Sequence, residues 1–265
     1  MNILITNDDG FGAWGIEAIT DRLAKEHNVY VVAPDGNRSG SGMSVNFTKP
    51  LLYRKMESKM FACSGSPVDC VIGGLKADIL DAPIDLVISG INHGPNIGTD
   101  IMYSGTCSAA KQATLLGTPS IAVSLSITHG QEWNDRNSWN FTPLADFVAD
   151  NLEQLISLAR PSIADDSVCD RQGIFVNVNA FDFDSYKGVK MTRCCFIRHD
   201  DNTKISVDDI DPEDFTVMLN NITTEAARLD GSDFAACKEG FISVTRVIAE
   251  PADEPGEIKD ITWTL

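Results

Sequence analysis

Residues 2–10, NILITNDDG, join a short apolar run to an acidic turn. The run from Asn2 to Thr6 has the length and composition of a buried strand, and it is bounded by polar residues and glycine. Two adjacent carboxylates, Asp8 and Asp9, follow it directly. Because ligands bind beyond the carboxyl ends of strands in open parallel sheets, this stretch predicts both a sheet and a polar site at its edge.

The same alternation of buried strands and amphipathic helices continues along the chain and ends near residue 181. Further strands are predicted at 30–33, 86–89, 120–125 and 174–180, with additional strand structure within 45–63. Helices are predicted at 16–26, 67–77, 107–116 and 143–159. Strands separated by helices form a mainly parallel sheet through right-handed crossovers. We therefore expect an α/β core over residues 1–181. Over residues 182–265 the periodicity weakens and short strands are predicted, with a solvated acidic loop at 208–215.

The overall charge narrows the classes of ligand. The chain of 265 residues has 21 basic and 38 acidic residues, a formal net charge of −17. A long polyanion such as duplex DNA would be repelled. A small phosphorylated substrate remains compatible, since a bound divalent cation can reverse the local field.

The cysteines and the hydropathy pattern indicate the compartment. Seven cysteines, an odd number with no CxxC pair, fit reduced thiols in the cytosol better than a disulfide framework. No apolar run approaches the length of a membrane span, and none resembles a signal peptide. We expect a soluble, cytoplasmic protein.

The acidic pair is a candidate cation site. Like charges this close favour a cation beside them, unless one carboxyl stays protonated. Oxygen ligands suit hard ions such as Mg²⁺, Mn²⁺ or Ca²⁺. The Ser39 hydroxyl, in the loop 35–44 after the second strand, and the Asn92 amide oxygen, after the strand at 86–89, are available to complete the shell with Asp8 and Asp9. The alternative is that Asp-Asp-Gly is merely a turn.

Ser104-Gly105-Thr106, directly before the helix at 107–116, has the composition of a phosphate cradle. A helix N-terminus offers unpaired N–H groups and a positive dipole end, Gly105 allows close backbone approach, and the two hydroxyls add donors. The alternative is a plain helix cap. Asn96, in the long polar loop expected from Gly90 to Gly105, is a candidate for binding phosphate or orienting water.

Three side chains in or next to these motifs have both a functional and a purely structural interpretation. His93 is a candidate proton donor, although a single loop histidine is more often structural or solvated. Arg38 is placed to attract phosphate, or simply to lie in solvent. Lys111, one turn into the helix, is expected on the surface.

Together and in order, NILITNDDG, VVAPDGNRSGSG (31–42), SGINHGPNIGTDIMYSGTCSAA (89–110) and DFAACKEGFISVTR (233–246) resemble the SurE (survival protein E) family of 5′/3′-nucleotidases. The resemblance implies a Rossmann-like α/β core and one divalent metal ion per subunit, Mg²⁺ or Mn²⁺, with Ca²⁺ able to occupy the site. By position, it implies the metal ligands Asp8, Asp9, Ser39 and Asn92. It also implies the phosphate-binding elements Asn96, Ser104, Gly105 and Thr106.

The resemblance further implies an activity and an assembly. Similar proteins hydrolyse nucleoside 5′- and 3′-monophosphates, and some act on short polyphosphate. They form homodimers or homotetramers that exchange C-terminal segments, which implies a β-rich oligomerisation extension over residues 182–265. The chain departs from the family pattern at Trp14, where proline is usual, at His93, a variable position, and at Cys195, where glycine is common. None of these departures removes an expected ligand.

The mechanism we expect is a metal-dependent attack of water, in which Asp8 or Asp9 also handles a proton. Other classes share some of these features. A haloacid-dehalogenase-like phosphatase needs Asp-x-Asp, whereas these acids are adjacent. A receiver domain needs a phosphoacceptor Asp after a later strand, where Ser89-Gly90 stands instead. A nucleotide-binding module without catalysis stays open.

Overall fold

The structure is a computed structural model that describes residues 1–127, 135–162, 172–197 and 230–251, with the backbone of 198–199 and of three short strands beyond it. The predicted acidic loop at 208–215 lies outside the described residues. So do residues 163–171.

The described residues form thirteen strands. In chain order these are β1 (Asn2–Thr6), β2 (Asn28–Pro34), β3 (Tyr53–Glu57), β4 (Met60–Cys63), β5 (Leu86–His93), β6 (Ser120–Ser126), β7 (Ile174–Phe181), β8 (Val189–Thr192), β9 (Phe196–His199), β10 (Lys204–Ser206), β11 (Thr216–Met218), β12 (Thr223–Ala227) and β13 (Ile242–Ile248). Nine of them make one sheet in the order β3-β4-β2-β1-β5-β6-β7-β13-β8. From β4 to β7 all neighbours are parallel, whereas β3 and β13 run antiparallel to their neighbours β4 and β7. The predicted mainly parallel α/β sheet is confirmed.

Helices cover both faces of the sheet. They are α1 (Trp14–Leu23), α2 (Pro67–Lys76), α3 (Gly105–Leu115), α4 (Thr142–Asp150), α5 (Leu152–Leu158) and α6 (Asp233–Lys238). Alternation along β1 divides the core, because Ile3 and Ile5 pack with α1, α4 and α5 while Leu4 packs with α2 and α3. Each fully buried aliphatic side chain contributes about 1.5–3 kcal/mol to folding. No helix in the described ranges has the length and apolar character to cross a membrane.

The predicted end of β5 is wrong. The strand was expected to stop at Ser89 and give way to a loop from Gly90 to Gly105, but it continues to His93 after a register shift against β6. Ile91 is fully buried in the core and holds this extension in the sheet. Asn92 and His93 therefore lie on a strand instead of in the expected polar loop.

The single helix expected at 143–159 is also wrong. Two helices, α4 and α5, meet at Asn151, whose backbone leaves the helical region at φ −118° and ψ 23°. The Asn151 side chain donates to the Phe147 carbonyl at 2.9 Å, satisfying the end of α4. By contrast, Pro67 opens α2 as predicted, and Ser66 and Asp69 form a capping box there.

Residues beyond 181 take part in the main sheet as well as in short strands. β13 pairs with β7 over six positions, and β8 pairs with β13. The short strands β9 and β12 form one antiparallel ladder, and β10 and β11 form another. The predicted short strands are confirmed, but β13 and α6 also belong to the layers of the core, so the sheet is continuous across the boundary at 181/182.

Candidate functional site

The acidic turn, residues 7–10, is held by its own first residue. Asn7, fully buried at the end of β1, accepts from the Gly10 N–H at 3.2 Å and donates to the Gly10 carbonyl at 3.0 Å. Gly10 adopts φ +107°, and a Cβ there would lie 2.9 Å from the Gly36 carbonyl carbon. Asn7 thus shapes the turn that carries both carboxylates, a role that our sequence analysis did not assign.

Asp8 is a buried carboxylate through which the acidic turn contacts α3. It is 3% exposed, and the Thr106 hydroxyl donates to its Oδ1. Burial and then the charge of Asp9 raise the pKa of Asp8 to about 6, although the Thr106 hydrogen bond works against them. Among the residues that the structure describes, no lysine or arginine pairs with Asp8 or Asp9.

Asp9 is held through one of its two oxygens. Its Oδ2 accepts from the His93 backbone N–H at 3.0 Å and faces the His93 Nδ1 at 2.9 Å. Because both contacts fall on Oδ2, Oδ1 is left for another partner. β5 brings His93 to this position, so the extension of that strand is what connects the two motifs.

The other two predicted metal ligands differ in exposure. Asn92 is 8% exposed, and its Nδ2 donates to the Gly94 carbonyl at 2.9 Å, which leaves its Oδ1 as the ligand atom. Ser39 is exposed, and its N–H donates to the Asn37 side chain at 2.8 Å. Its hydroxyl has no contact with the carboxylates in the structure, so its role as a ligand stays a prediction.

The Ser39 loop, residues 35–44, reaches the acidic turn through its backbone. The Arg38 N–H donates to the Asp8 carbonyl at 2.7 Å, and the Gly42 N–H donates to the Tyr103 carbonyl at 3.1 Å. The Arg38 guanidinium pairs with Asp35 at 2.7 Å. The Arg38 side chain is therefore engaged within its own loop.

The N-terminus of α3 lies against Asp8. Ser104 is its N-cap and accepts from the Cys107 N–H at 2.9 Å, which leaves the hydroxyl proton free to donate. A Cβ at Gly105 would lie 2.8 Å from the Asp8 Cβ and 2.9 Å from the Ser41 Oγ. Glycine is therefore required for the helix to approach the carboxylate so closely. The capping role of Ser104 is shown, and phosphate binding by this segment stays a prediction.

Asn96 is fixed from β7 by two asparagines. Its backbone N–H donates to the Asn179 Oδ1 at 2.9 Å, and its carbonyl accepts from the Asn177 and Asn179 side chains at 2.8 and 3.0 Å. Its own Nδ2 donates to the Ser124 hydroxyl at 2.8 Å. Asn177 and Asn179 were not predicted as site residues, although two polar residues inside a buried strand indicate a hydrogen-bond network.

A buried aspartate in the C-terminal part of the chain holds the segment that follows β5. Asp233 is fully buried and accepts from the N–H groups of Gly98, Cys195 and Phe234 at 2.8, 2.9 and 2.9 Å. Asp233 belongs to the DFAACKEG motif, so this motif supports the candidate site by holding the backbone near Asn96.

The donor set of the acidic turn fits a hard divalent cation. Adjacent Asp8 and Asp9 lie at a largely buried position, where burial and then the charge of Asp9 raise the pKa of Asp8. A cation would offset both effects, and carboxylate oxygens are ligands that hard divalent ions prefer. Within the described ranges, no three His, Cys, Asp or Glu side chains cluster as a metal site. A cation at the turn would thus need neutral oxygens as well, which Asn92 and Ser39 offer.

The same motifs and fold occur in known proteins. The family described as Survival protein SurE matches residues 3–201. The chain belongs to the SurE family. A SurE relative from Pseudoalteromonas atlantica, named 5′-nucleotidase SurE, is 37% identical over 246 residues, which span 92% of this chain and 91% of the relative. A protein of the same name from Petrotoga mobilis is 37% identical over 249 residues, 92% of each chain.

The fold agrees with a solved SurE structure. The crystal structure of the SurE protein from Aquifex aeolicus matches with a TM-score of 0.74 and 31% identity, covering 96% of this chain and 95% of that one. The resemblance and the fold class inferred from sequence are therefore confirmed over nearly the whole chain.

Proposed function

We propose that this chain is a divalent-metal-dependent phosphomonoesterase that releases phosphate from nucleoside 5′- and 3′-monophosphates and from short polyphosphate. The observation that carries the proposal is the pair Asp8 and Asp9 at the carboxyl edge of the sheet, largely buried and with no lysine or arginine partner in the part of the chain that the structure describes. Asp8 also contacts the N-terminus of α3. The SurE relatives named 5′-nucleotidase support the nucleotide class.

One divalent ion, Mg²⁺ or Mn²⁺ with Ca²⁺ as a possible occupant, would be held by Asp8, Asp9, Asn92 and Ser39. A cation bound there supplies a Lewis acid that offsets the negative charge of the phosphate and activates the attacking water. The two carboxylates contribute the charge of the shell, and the amide and hydroxyl contribute neutral oxygens.

The N-terminus of α3 would hold the phosphate against that shell. Gly105 presents its backbone N–H at the positive end of the helix, and the Ser104 hydroxyl can donate while it caps the helix. Thr106 would hold the phosphate close to Asp8, which its hydroxyl contacts. Asn96, fixed by Asn177 and Asn179, would hold a further phosphate oxygen or the water for in-line attack. Asp8 or Asp9 would take up the proton of the attacking water.

The test is phosphate release from a panel of nucleoside 5′- and 3′-monophosphates and short polyphosphate, with Mg²⁺, Mn²⁺ or EDTA. We expect turnover that depends on metal and is lost with EDTA and in Asp9→Asn. Asp21→Asn, the same change on an exposed position of α1, is the control and should keep full activity. Turnover that EDTA leaves unchanged would contradict metal dependence. Tight nucleotide binding without turnover would favour a binding module.

We also propose that the protein is a cytoplasmic homodimer or homotetramer whose subunits exchange parts of residues 182–265. Three large apolar side chains near the end of the main sheet support an interface, since Val189, Met191 and Phe196 are 49%, 57% and 61% exposed. Light scattering behind a sizing column tests this, and a monomer at micromolar concentration would contradict it.

A further inference from the structure

Two aromatic side chains, Trp14 and His93, contact one another beside the acidic turn. Trp14 opens α1, and His93 ends β5. Their rings meet edge to face with centroids 5.4 Å apart. Both residues therefore belong to one cluster, and that cluster touches Asp9.

Two more aromatic rings complete an aromatic box around His93. The Trp139 and Phe141 rings lie 5.0 and 4.9 Å from the imidazole, both edge to face, and they stack on each other at 5.4 Å. Packing on three sides leaves the His93 side chain 13% exposed. The three rings hold the plane of the imidazole, and the contact with Asp9 selects the ring flip that turns Nδ1 toward that carboxylate.

That orientation aims Nδ1 at the Oδ2 of Asp9, at 2.9 Å. A carboxylate only accepts hydrogen bonds, so Nδ1 is the donor. The His93 backbone N–H donates to the same oxygen at 3.0 Å. Two donors on one residue thus fix Oδ2, and a rigid strand and a packed ring fix the donors.

We propose that His93 is a positioning residue that holds the Asp9 carboxylate so that its Oδ1 faces the divalent ion. The inference rests on the proposed function, in which Asp9 is a metal ligand. Partners behind a first ligand orient it, and their loss weakens metal binding about 10- to 100-fold. His93 contributes only one of the two hydrogen bonds, so an effect near the lower end of that range is expected.

Replacing His93 with asparagine or glutamine distinguishes a role in positioning Asp9 from a role in packing. The Nδ2 of asparagine stands at the same bond distance from Cβ as the imidazole Nδ1, so His93→Asn can keep the donor to Asp9. The amide nitrogen of glutamine stands one bond farther out, so His93→Gln misplaces it. His93→Phe fills the aromatic box without a donor. His27→Asn, beyond the end of α1, is the matched control.

The experiment is calorimetric titration of Mn²⁺ into metal-stripped full-length protein, with thermal melting to verify folding. We expect one Mn²⁺ per chain in the wild type, about 10-fold weaker binding by His93→Gln and His93→Phe, and binding by His93→Asn and His27→Asn within about 3-fold of the wild type. kcat for a nucleoside monophosphate at saturating Mn²⁺ should fall in the same order.

The possible failures are distinguishable. No Mn²⁺ binding by the folded wild type would overturn the proposed metal site, and the inference with it. Wild-type binding that His93→Gln and His93→Phe leave unchanged would overturn the positioning role alone. Equal weakening by His93→Asn and His93→Gln would also overturn it, because the placement of the donor would then be irrelevant. If His93→Phe does not fold, the pair of amide variants still decides.

Discussion

The acidic turn and the Ser39 loop lie side by side at one edge of the sheet, yet they are built differently. In the turn, Asp8 and Asp9 are largely buried, and each carboxylate has a side-chain partner, Thr106 or His93. In the loop, Ser39 is exposed, and the contacts to the turn and to Tyr103 are made by backbone groups. The fold therefore fixes the two carboxylates and leaves the Ser39 hydroxyl in solvent.

This difference predicts unequal contributions to the site. Removing a charge or a buried hydrogen bond in the acidic turn should cost much more than removing a hydroxyl in the Ser39 loop, because water can replace an exposed ligand. The following variants test that ranking.

The largest effect is expected from Asp9→Asn. The change keeps the shape of the side chain but removes a charge from the cation site, so kcat/KM should fall about 1000-fold, or about 4 kcal/mol. Phosphate release under saturating Mn²⁺ measures it. A loss below about 10-fold would show that Asp9 is not part of the catalytic site.

The second effect is a pH-dependent stabilisation of the metal-free protein by Asp8→Asn. The pKa of Asp8 is raised from 3.8 to about 6, so ionisation opposes folding. The stability that the neutral carboxyl gives is complete below pH 3.8 and is lost as pH rises through about 6. With EDTA, Asp8→Asn should therefore be more stable than the wild type at pH 8, on the order of 2–3 kcal/mol, and equal at pH 4. Denaturant unfolding at both pH values measures this, and equal stability at pH 8 would contradict the burial argument.

A smaller effect is expected from Thr106→Val. The substitution is nearly isosteric and removes the hydroxyl that donates to Asp8, at a cost of about 1–2 kcal/mol in the stability of the ionised form. Mn²⁺ affinity should fall about 10-fold in calorimetry. Thr114→Val is the control, since it removes a buried hydroxyl from the same helix that bonds to Ser120. If both variants bind Mn²⁺ equally, the contact to Asp8 is unimportant.

The smallest effect is expected from Ser39→Ala. Because the hydroxyl is exposed and water can take its place, Mn²⁺ affinity should fall only about 3-fold. Ser44→Ala, exposed in the same loop, should have no effect. A loss by Ser39→Ala as large as that of Asp9→Asn would contradict the contrast between the two regions.

Local patterns were sufficient to predict most of the sheet. The alternation in NILIT and the strand–helix repeats follow from hydrophobic burial, and these elements occur where expected. The end of β5 was missed because SGINH has the glycine and polar content of a loop, whereas the burial of Ile91 keeps it in the sheet. Tertiary packing overrides local propensity at this position.

The supports of the site could not be predicted from local sequence. Asn177 and Asn179 form hydrogen bonds with Asn96, which is 81 and 83 residues away in the sequence. Asp233 accepts a hydrogen bond from Gly98, 135 residues away. The contact between His93 and Asp9 spans 84 residues and depends on the extension of β5. The residue types of the candidate ligands were visible in the sequence, whereas the partners that orient them required the fold.

The central claim is that Asp8 and Asp9 together bind one divalent cation. Crystals soaked in Mn²⁺ and measured at the manganese absorption edge test it most directly. We predict a single anomalous peak per chain at the acidic turn, about 2.0–2.6 Å from oxygens of both carboxylates and of Asn92. A fully occupied peak elsewhere, or no peak in crystals that diffract well at millimolar Mn²⁺, would contradict the account.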